Sequence, residues 1–129
     1  MNSRVSGTVL VVDGANVVGS KPDGWWRDRA RAAARLHGRL AVADTSYDEI
    51  VLVLEGQAKG GVPAGRDGHV VTVHAPRDGD AAIAGAVRDA REQGDVVVVV
   101  SADRALVMRV EGLGARSMSP GWLIDTIGY

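Results

Sequence analysis

Apolar residues fall along this chain in short unbroken runs, and between the runs they recur with helical spacing. Residues 8–12 form a β-branched apolar run closed by Asp13, which predicts a strand buried on both faces, as parallel sheets require. After the Gly and Pro punctuation of "VGSKPDGWW", residues 25 to about 41 predict a helix: Trp26, Ala30, Ala33, Leu36 and Leu40 make a core stripe, and Arg27, Arg31, Arg35 and Arg39 another face. "EIVLVLEG", 49–56, predicts a second buried strand that also ends in a carboxylate, Glu55. Residues 59–68 are Gly-rich and predict a mobile loop, followed by a third strand over 69–75 whose partial alternation places it at a sheet edge. Residues 80–93 predict a helix, packing through Ala81, Ala82, Ile83, Ala86, Val87 and Ala90 and closed by Gly94. The segment "DVVVVVSADRALVMRVEGLGA" predicts strand, turn at 101–103, helix and glycine stop. "ARSMSPGWLIDTIGY" adds a short fifth strand and a last helix capped by Ser119 with Pro120 at its first position.

Strands alternating with helices in 129 residues, with no repeat and no low-complexity linker, predict an α/β fold. We expect one domain over 1–129, a three-layer α/β/α sandwich on a mostly parallel five-stranded sheet. Ligands of such sheets bind beyond the carboxyl ends of the strands. Residues 13–16, Glu55, Asp78 with Asp80, and residues 101–104 occupy those ends, so four strand ends deliver carboxylates to one edge. Taken singly, each acid has a structural explanation: Asp13 as a turn former, Asp78, Asp80 or Asp103 at a helix start, Glu55 as a solvated strand end. Taken together they repel one another, and a divalent cation would reverse that penalty. Composition narrows the ion further. There is no cysteine, which excludes disulfides, thiolate catalysis and Cys-bound zinc. His37, His69 and His74 have no ligand spacing and are expected to be structural or exposed, while Trp26, Trp122 and Met108 are expected in the core. A hard ion, Mg²⁺ or Mn²⁺, suits the remaining oxygen donors. The formal net charge of -1 hides a segregation: residues 21–40 carry a local balance of +4 and the rest of the chain -5. Neither a membrane span nor a secretory signal is evident, so a cytoplasmic protein is expected.

"VVDGANVVG", "DGDAAI" and "VVVVVSADRAL" followed by "VEGLGA" resemble the NYN domains of the PIN-like nuclease superfamily, closest to the YacP-like bacterial branch, over nearly the whole chain. The resemblance implies a PIN-like fold with the first strand near the sheet centre and a Mg²⁺- or Mn²⁺-dependent endoribonuclease that hydrolyses phosphodiesters without a side-chain nucleophile. By motif, Asp13, Asp80 and Asp103 are implied as catalytic metal ligands, with Glu55 and Asp78 as further candidates. Asn16 would orient substrate or a ligand water, and Ser101 would support Asp103. Lys21 and Arg104 are expected to contact phosphate near the acidic edge; Arg27 and Arg31 would track the backbone and Trp25 would stack on an unpaired base. Two departures from the family pattern leave the carboxylate count near its minimum: Ala81 follows Asp80 where relatives carry a second acid, and Glu55 stands where many have Asp. The implied partner is RNA, structured or ribosome-associated, with a homodimer and an inhibitor protein as further partners to consider. Two alternatives stay open: a hydrolase of nucleotides or small phosphate esters at the same site, although no Walker A motif is present, and an RNA-binding or interaction module with weakened catalysis.

Overall fold

The structure is a computed structural model that describes residues 6–129. Strand β1 (Thr8–Asp13) lies inside the sheet, parallel to β2 (Glu49–Leu54) on one side and to β5 (Val96–Val100) on the other. Beyond β2 comes β4 (Val70–His74), also parallel, and beyond β5 the short parallel β6 (Arg116–Met118). An antiparallel β3 (Gly65–Asp67) closes the far edge, giving the order β3-β4-β2-β1-β5-β6.

The sheet therefore has six strands where the sequence predicts five. The additional strand sits inside the stretch expected to be a mobile loop. All three β3 residues are exposed, so no alternation of apolar and polar side chains marks it; the pairing is made by backbone, with Gly68 at φ +60° turning the chain into β4. One consequence is that β4 is not an edge strand. Just before β3, residues Gly56–Gly61 form a 3-10 segment in which a Cβ at Gly61 would collide with the Ala30 carbonyl oxygen.

The two faces of the sheet bury different sets of helices. Leu10, Val12, Ile50, Leu52, Leu54, Val98 and Val100 pack with α1 (Gly14–Gly19), α2 (Arg29–Val42) and α5 (Pro120–Ile127). Val9, Val11, Val53, Val97 and Val99 pack with α3 (Gly79–Glu92) and α4 (Arg104–Gly112). Alternate residues of each central strand thus serve opposite layers, which is why the strands read as continuous apolar runs. Each fully buried Leu, Ile or Val contributes roughly 1.5–3 kcal/mol relative to an exposed one.

Helix boundaries account for the misplaced core residues. Helix α2 starts at Arg29, with the Asp28 side chain accepting from the Arg31 amide, and Trp25–Arg27 form a separate 3-10 turn. Trp26 consequently lies outside the core stripe and is 55% exposed; Met108, also expected inside, is 74% exposed on the outer face of α4. Ala32, Ala33, Leu36 and Leu40 are the buried positions of α2. In α3 Ala84 is buried and Ala81 exposed, the reverse of the expected packing, because Ile83, Val87 and Ala90 set the inward face. Trp122 packs against the core as expected. Among the described residues no helix is long and apolar enough to cross a membrane.

Candidate active site

Asp13 leaves the sheet at the point where strand order reverses: the chain runs from β1 outward to β2 and β4, then returns through α3 to β5 on the other side of β1. Such switch points open a crevice at the carboxyl ends of the strands. Here the crevice is laced shut at its base. The Ser101 hydroxyl donates to Asp13 Oδ2 at 2.8 Å, the Asn16 amide donates to Asp13 Oδ1 at 3.3 Å, and the Ala102 amide donates to Asn16 Oδ1 at 3.0 Å. Asp13 is 5% exposed and caps α1, a helix with no counterpart in the sequence reading, where "DGAN" is read as a turn. Six residues with two valines give a weak helical signal; the cap and the burial of Val17 and Val18 sustain it. Gly14 is demanded by space, since a Cβ there would lie 2.7 Å from the Val53 carbonyl oxygen and 2.8 Å from Leu54 Cδ2.

Ser101 behaves differently from expectation. Its hydroxyl bonds the Asp13 carboxylate and accepts from the Asp103 backbone amide at 3.1 Å, and it does not support the Asp103 carboxylate. The reason is local: Asp103 Oδ1 is committed to capping α4 through the Leu106 amide at 3.1 Å. Asp78 likewise caps α3, accepting from the Asp80 amide at 3.0 Å. Asn16 turns its carbonyl oxygen onto backbone rather than toward solvent.

The acids share one electrostatic neighbourhood. Burial raises the Asp13 carboxyl above the ordinary aspartate value; the hydrogen bonds from Ser101 and Asn16 oppose this and the charge of Asp103 adds to it. Asp80 is raised by burial first, then by Asp103, Asp78 and Asp13, with Arg109 opposing. Glu55 is raised by burial, eased by the Gly79 amide, and raised again by Asp13, Asp78 and Asp80. Asp13, Glu55, Asp78, Asp80 and Asp103 are therefore assembled at one edge from four strand ends.

Whether they suit a divalent ion can be tested on their chemistry. Among the described residues no three Asp, Glu or His side chains are gathered closely enough to hold one, and Asp13, Asp78 and Asp103 each spend one oxygen on a helix cap. The donor set is all oxygen and mutually repelling, which fits Mg²⁺ or Mn²⁺ bound through one or two carboxylates with water and substrate phosphate completing the shell.

The proposed substrate contacts scatter more widely. Arg104 opens α4 directly after Asp103 and is exposed. Lys21, expected to contact phosphate at the acidic edge, instead donates from Nζ to the Tyr129 backbone oxygen at 2.6 Å and lies 4.0 Å from that ring's centroid, in a groove with Asp23, Arg35 and Arg39. Arg27 belongs to the 3-10 turn, its guanidinium 5.8 Å from the Trp26 ring, so the four-residue arginine repeat along α2 begins only at Arg31. Arg31 is exposed, and Arg35 pairs with Asp23 at 3.5 Å. Trp25 borders a cleft of about 270 Å³ with Gly14, Val18, Arg29, Leu54 and Glu55. Arg29, whose guanidinium lies 5.1 Å from the Trp25 ring centroid, and Arg109, the cation nearest in effect to Asp80, were not singled out from sequence. Only their membership in basic helices could have flagged them. The histidines are structural, as expected: Nε2 of His69 meets the Leu40 oxygen at 2.8 Å, Nε2 of His74 meets the Val62 oxygen at 2.7 Å, and Nε2 of His37 lies 3.7 Å from Asp67.

No family model matches the chain, and no curated protein matches it. Among solved structures it is similar to a mutant of Rae1 (YacP) from Bacillus subtilis, with 19% sequence identity and a TM-score of 0.74 over 94% of this chain and 75% of that one. At that identity the likeness is one of backbone, and the chain has a YacP-like fold.

Proposed function

We propose that this chain is a divalent-metal-dependent endoribonuclease acting on structured or ribosome-associated RNA. The observation that supports this reading best is the placement of acids from four strand ends at the switch-point edge, where Asp13, Glu55 and Asp80 are raised first by burial and further by neighbouring carboxylates, a penalty that a doubly charged ion relieves. The YacP-like fold and the motif resemblance point the same way. Asp13, Asp80 and Asp103 are the candidate ligands, an ion being held through one or two of them with water and phosphate completing its shell, and Glu55 and Asp78 are in reach of the same field. When bound, such an ion supplies Lewis acidity toward a phosphoryl oxygen and lowers the pKa of water. The chain's own part is positional. Ser101 and Asn16 fix the Asp13 carboxylate and favour its ionised form. Arg104 is exposed beside Asp103 to take a non-bridging phosphate oxygen, and Arg31 and Trp25 flank the path that a strand would follow.

The test is cleavage of RNA in Mg²⁺ or Mn²⁺, abolished by chelation and by Asp13→Asn or Asp103→Asn. Ser101→Ala should lose roughly ten- to a hundredfold, as expected for a residue that orients a ligand. Independently of turnover, Mn²⁺ should raise the wild-type Tm and leave that of Asp13→Asn unmoved. The compact cleft beside Glu55 favours a second reading, a hydrolase of nucleotides or small phosphate esters, which nucleotide turnover with RNA left intact would select. The lack of a three-carboxylate shell among the described residues favours a binding module with weakened catalysis; RNA retention without turnover, unaltered by those substitutions, would select that one.

A further inference from the structure

We propose that Glu55 and Lys59 form a two-point clamp on the turn between β4 and α3, so that Glu55 is a positioning residue for Asp80 and not a ligand of the ion. This rests on the ribonuclease reading and assigns a part that the motifs leave open. The turn, residues 75–78, carries Asp78 and leads into Asp80, and anchors for both of its ends come from residues 54–59. At its start the Ala75 amide donates to the Leu54 backbone oxygen at 2.8 Å, and the half-buried Lys59 donates from Nζ to the Ala75 oxygen at 3.0 Å. At its end the Gly79 amide donates to the Glu55 carboxylate, and the position that a Cβ would take on Gly79 is 3.6 Å from Glu55 Oε1. Between these anchors Pro76, Arg77 and Asp78 are exposed.

Charge explains why these residue types hold these places. The first amides of a helix lack partners within it and form the positive end of its dipole. Asp78 takes the Asp80 amide at 3.0 Å, and Glu55, from a distant strand end, takes the Gly79 amide one position earlier. Lys59 has donors only and suits the carbonyl that follows β4. The segment bearing both residues is itself seated on α2, where Gly61 passes the Ala30 carbonyl too closely for a side chain. A carboxylate engaged at the start of α3 fixes where that helix begins, and Asp80 is the residue directly after Gly79. Asp80 is thereby held in the field of Asp13 and Asp103. Glutamine keeps an oxygen that can accept from the Gly79 amide but brings no charge to an ion, so it separates the two roles.

Hydrogen exchange of residues 75–84, followed by mass spectrometry in EDTA, reads the clamp without ion or RNA. Glu55→Ala and Lys59→Met should each speed exchange there about tenfold, the loss of one hydrogen bond to a charged group. Glu55→Gln and Lys59→Arg should stay near the wild type. Mn²⁺ should raise the Tm of Glu55→Gln nearly as much as that of the wild type, and that of Glu55→Ala by less. In RNA cleavage Glu55→Ala should lose roughly ten- to a hundredfold in kcat, as for residues that orient a ligand, with KM for RNA unaltered, and Glu55→Gln should recover most of that loss. Circular dichroism establishes that each variant is folded; if Glu55→Ala is not, Glu55→Gln against the wild type carries the Mn²⁺ comparison and Lys59→Met the exchange. A Mn²⁺ shift lost in folded Glu55→Gln would make Glu55 an ion ligand and overturn the assignment. Unaltered exchange over 75–84 in folded Glu55→Ala or Lys59→Met would overturn the clamp. If the wild type cleaves no RNA, the ribonuclease reading fails, and the exchange result still decides whether the clamp exists.

Discussion

Asp13 serves fold and proposed chemistry with the same two oxygens, and the pH dependence of stability should expose the conflict. Its carboxyl is raised chiefly by burial, so between the unfolded and folded pKa values the native state binds more protons than the unfolded one. Stability contributed through this group therefore falls as pH rises through that window, and the cost is complete above the folded value. Asparagine caps a helix as well as aspartate, its one side-chain oxygen accepting from the Asn16 amide while its NH₂ donates to Ser101 Oγ, without the charge. Asp13→Asn should thus raise the Tm in EDTA at neutral pH, worth about 1 kcal/mol, with the gain shrinking toward zero as pH falls below the ordinary carboxylate value. Thermal unfolding across a pH series checks this, and a destabilised variant at pH 7 would contradict it. Thr72 is a second residue at odds with its surroundings: its hydroxyl is buried without a hydrogen-bond partner in the core beneath α2. Thr72→Val removes that unpaired group and should stabilise by about 1 kcal/mol, read as a higher denaturant midpoint at unchanged m-value.

At the scale of elements, α1 depends on one close approach. Its first residue passes the end of β2 so tightly that a methyl group at position 14 would press on both the Val53 carbonyl and the Leu54 side chain. Gly14→Ala should cost about 1–3 kcal/mol, the range for overpacking a filled site. Because Asn16 and Asp13 move with the helix, RNA cleavage should fall further than the lost stability explains. Calorimetry and a cleavage assay well below the variant's Tm separate the two effects; full activity would mean that α1 is not coupled to the site. Elements such as α1 and β3 escape sequence patterning for a common reason. Both are shorter than one period of a convincing signal, and both are held by contacts with residues remote in the chain, α1 by the sheet and β3 by backbone pairing with β4. The long amphipathic helices and the valine strands carry their pattern within themselves and were legible.

Across the whole molecule, the charges divide between an acidic strand edge and a basic first third, and RNA would have to satisfy both. If Arg27 and Arg31 contact phosphates, replacing both with alanine should flatten the dependence of log affinity on log salt by roughly 1 to 1.5 for a single-stranded RNA, measured by anisotropy in EDTA; an unaltered slope would remove this face from the interface. By itself the sequence determined the layers, the parallel sheet and which strand ends bear acids, because these follow from local periodicity and from where apolar runs stop. Only the tertiary structure decided that Ser101 bonds Asp13 rather than the Asp103 side chain, that Lys21 is drawn to Tyr129, and that Trp26 faces solvent while Trp25 and Arg29 border a cleft with Glu55. Those outcomes depend on which side chains from distant segments compete for the same few ångströms, and the order of residues along a chain does not contain that competition until the backbone has closed around it.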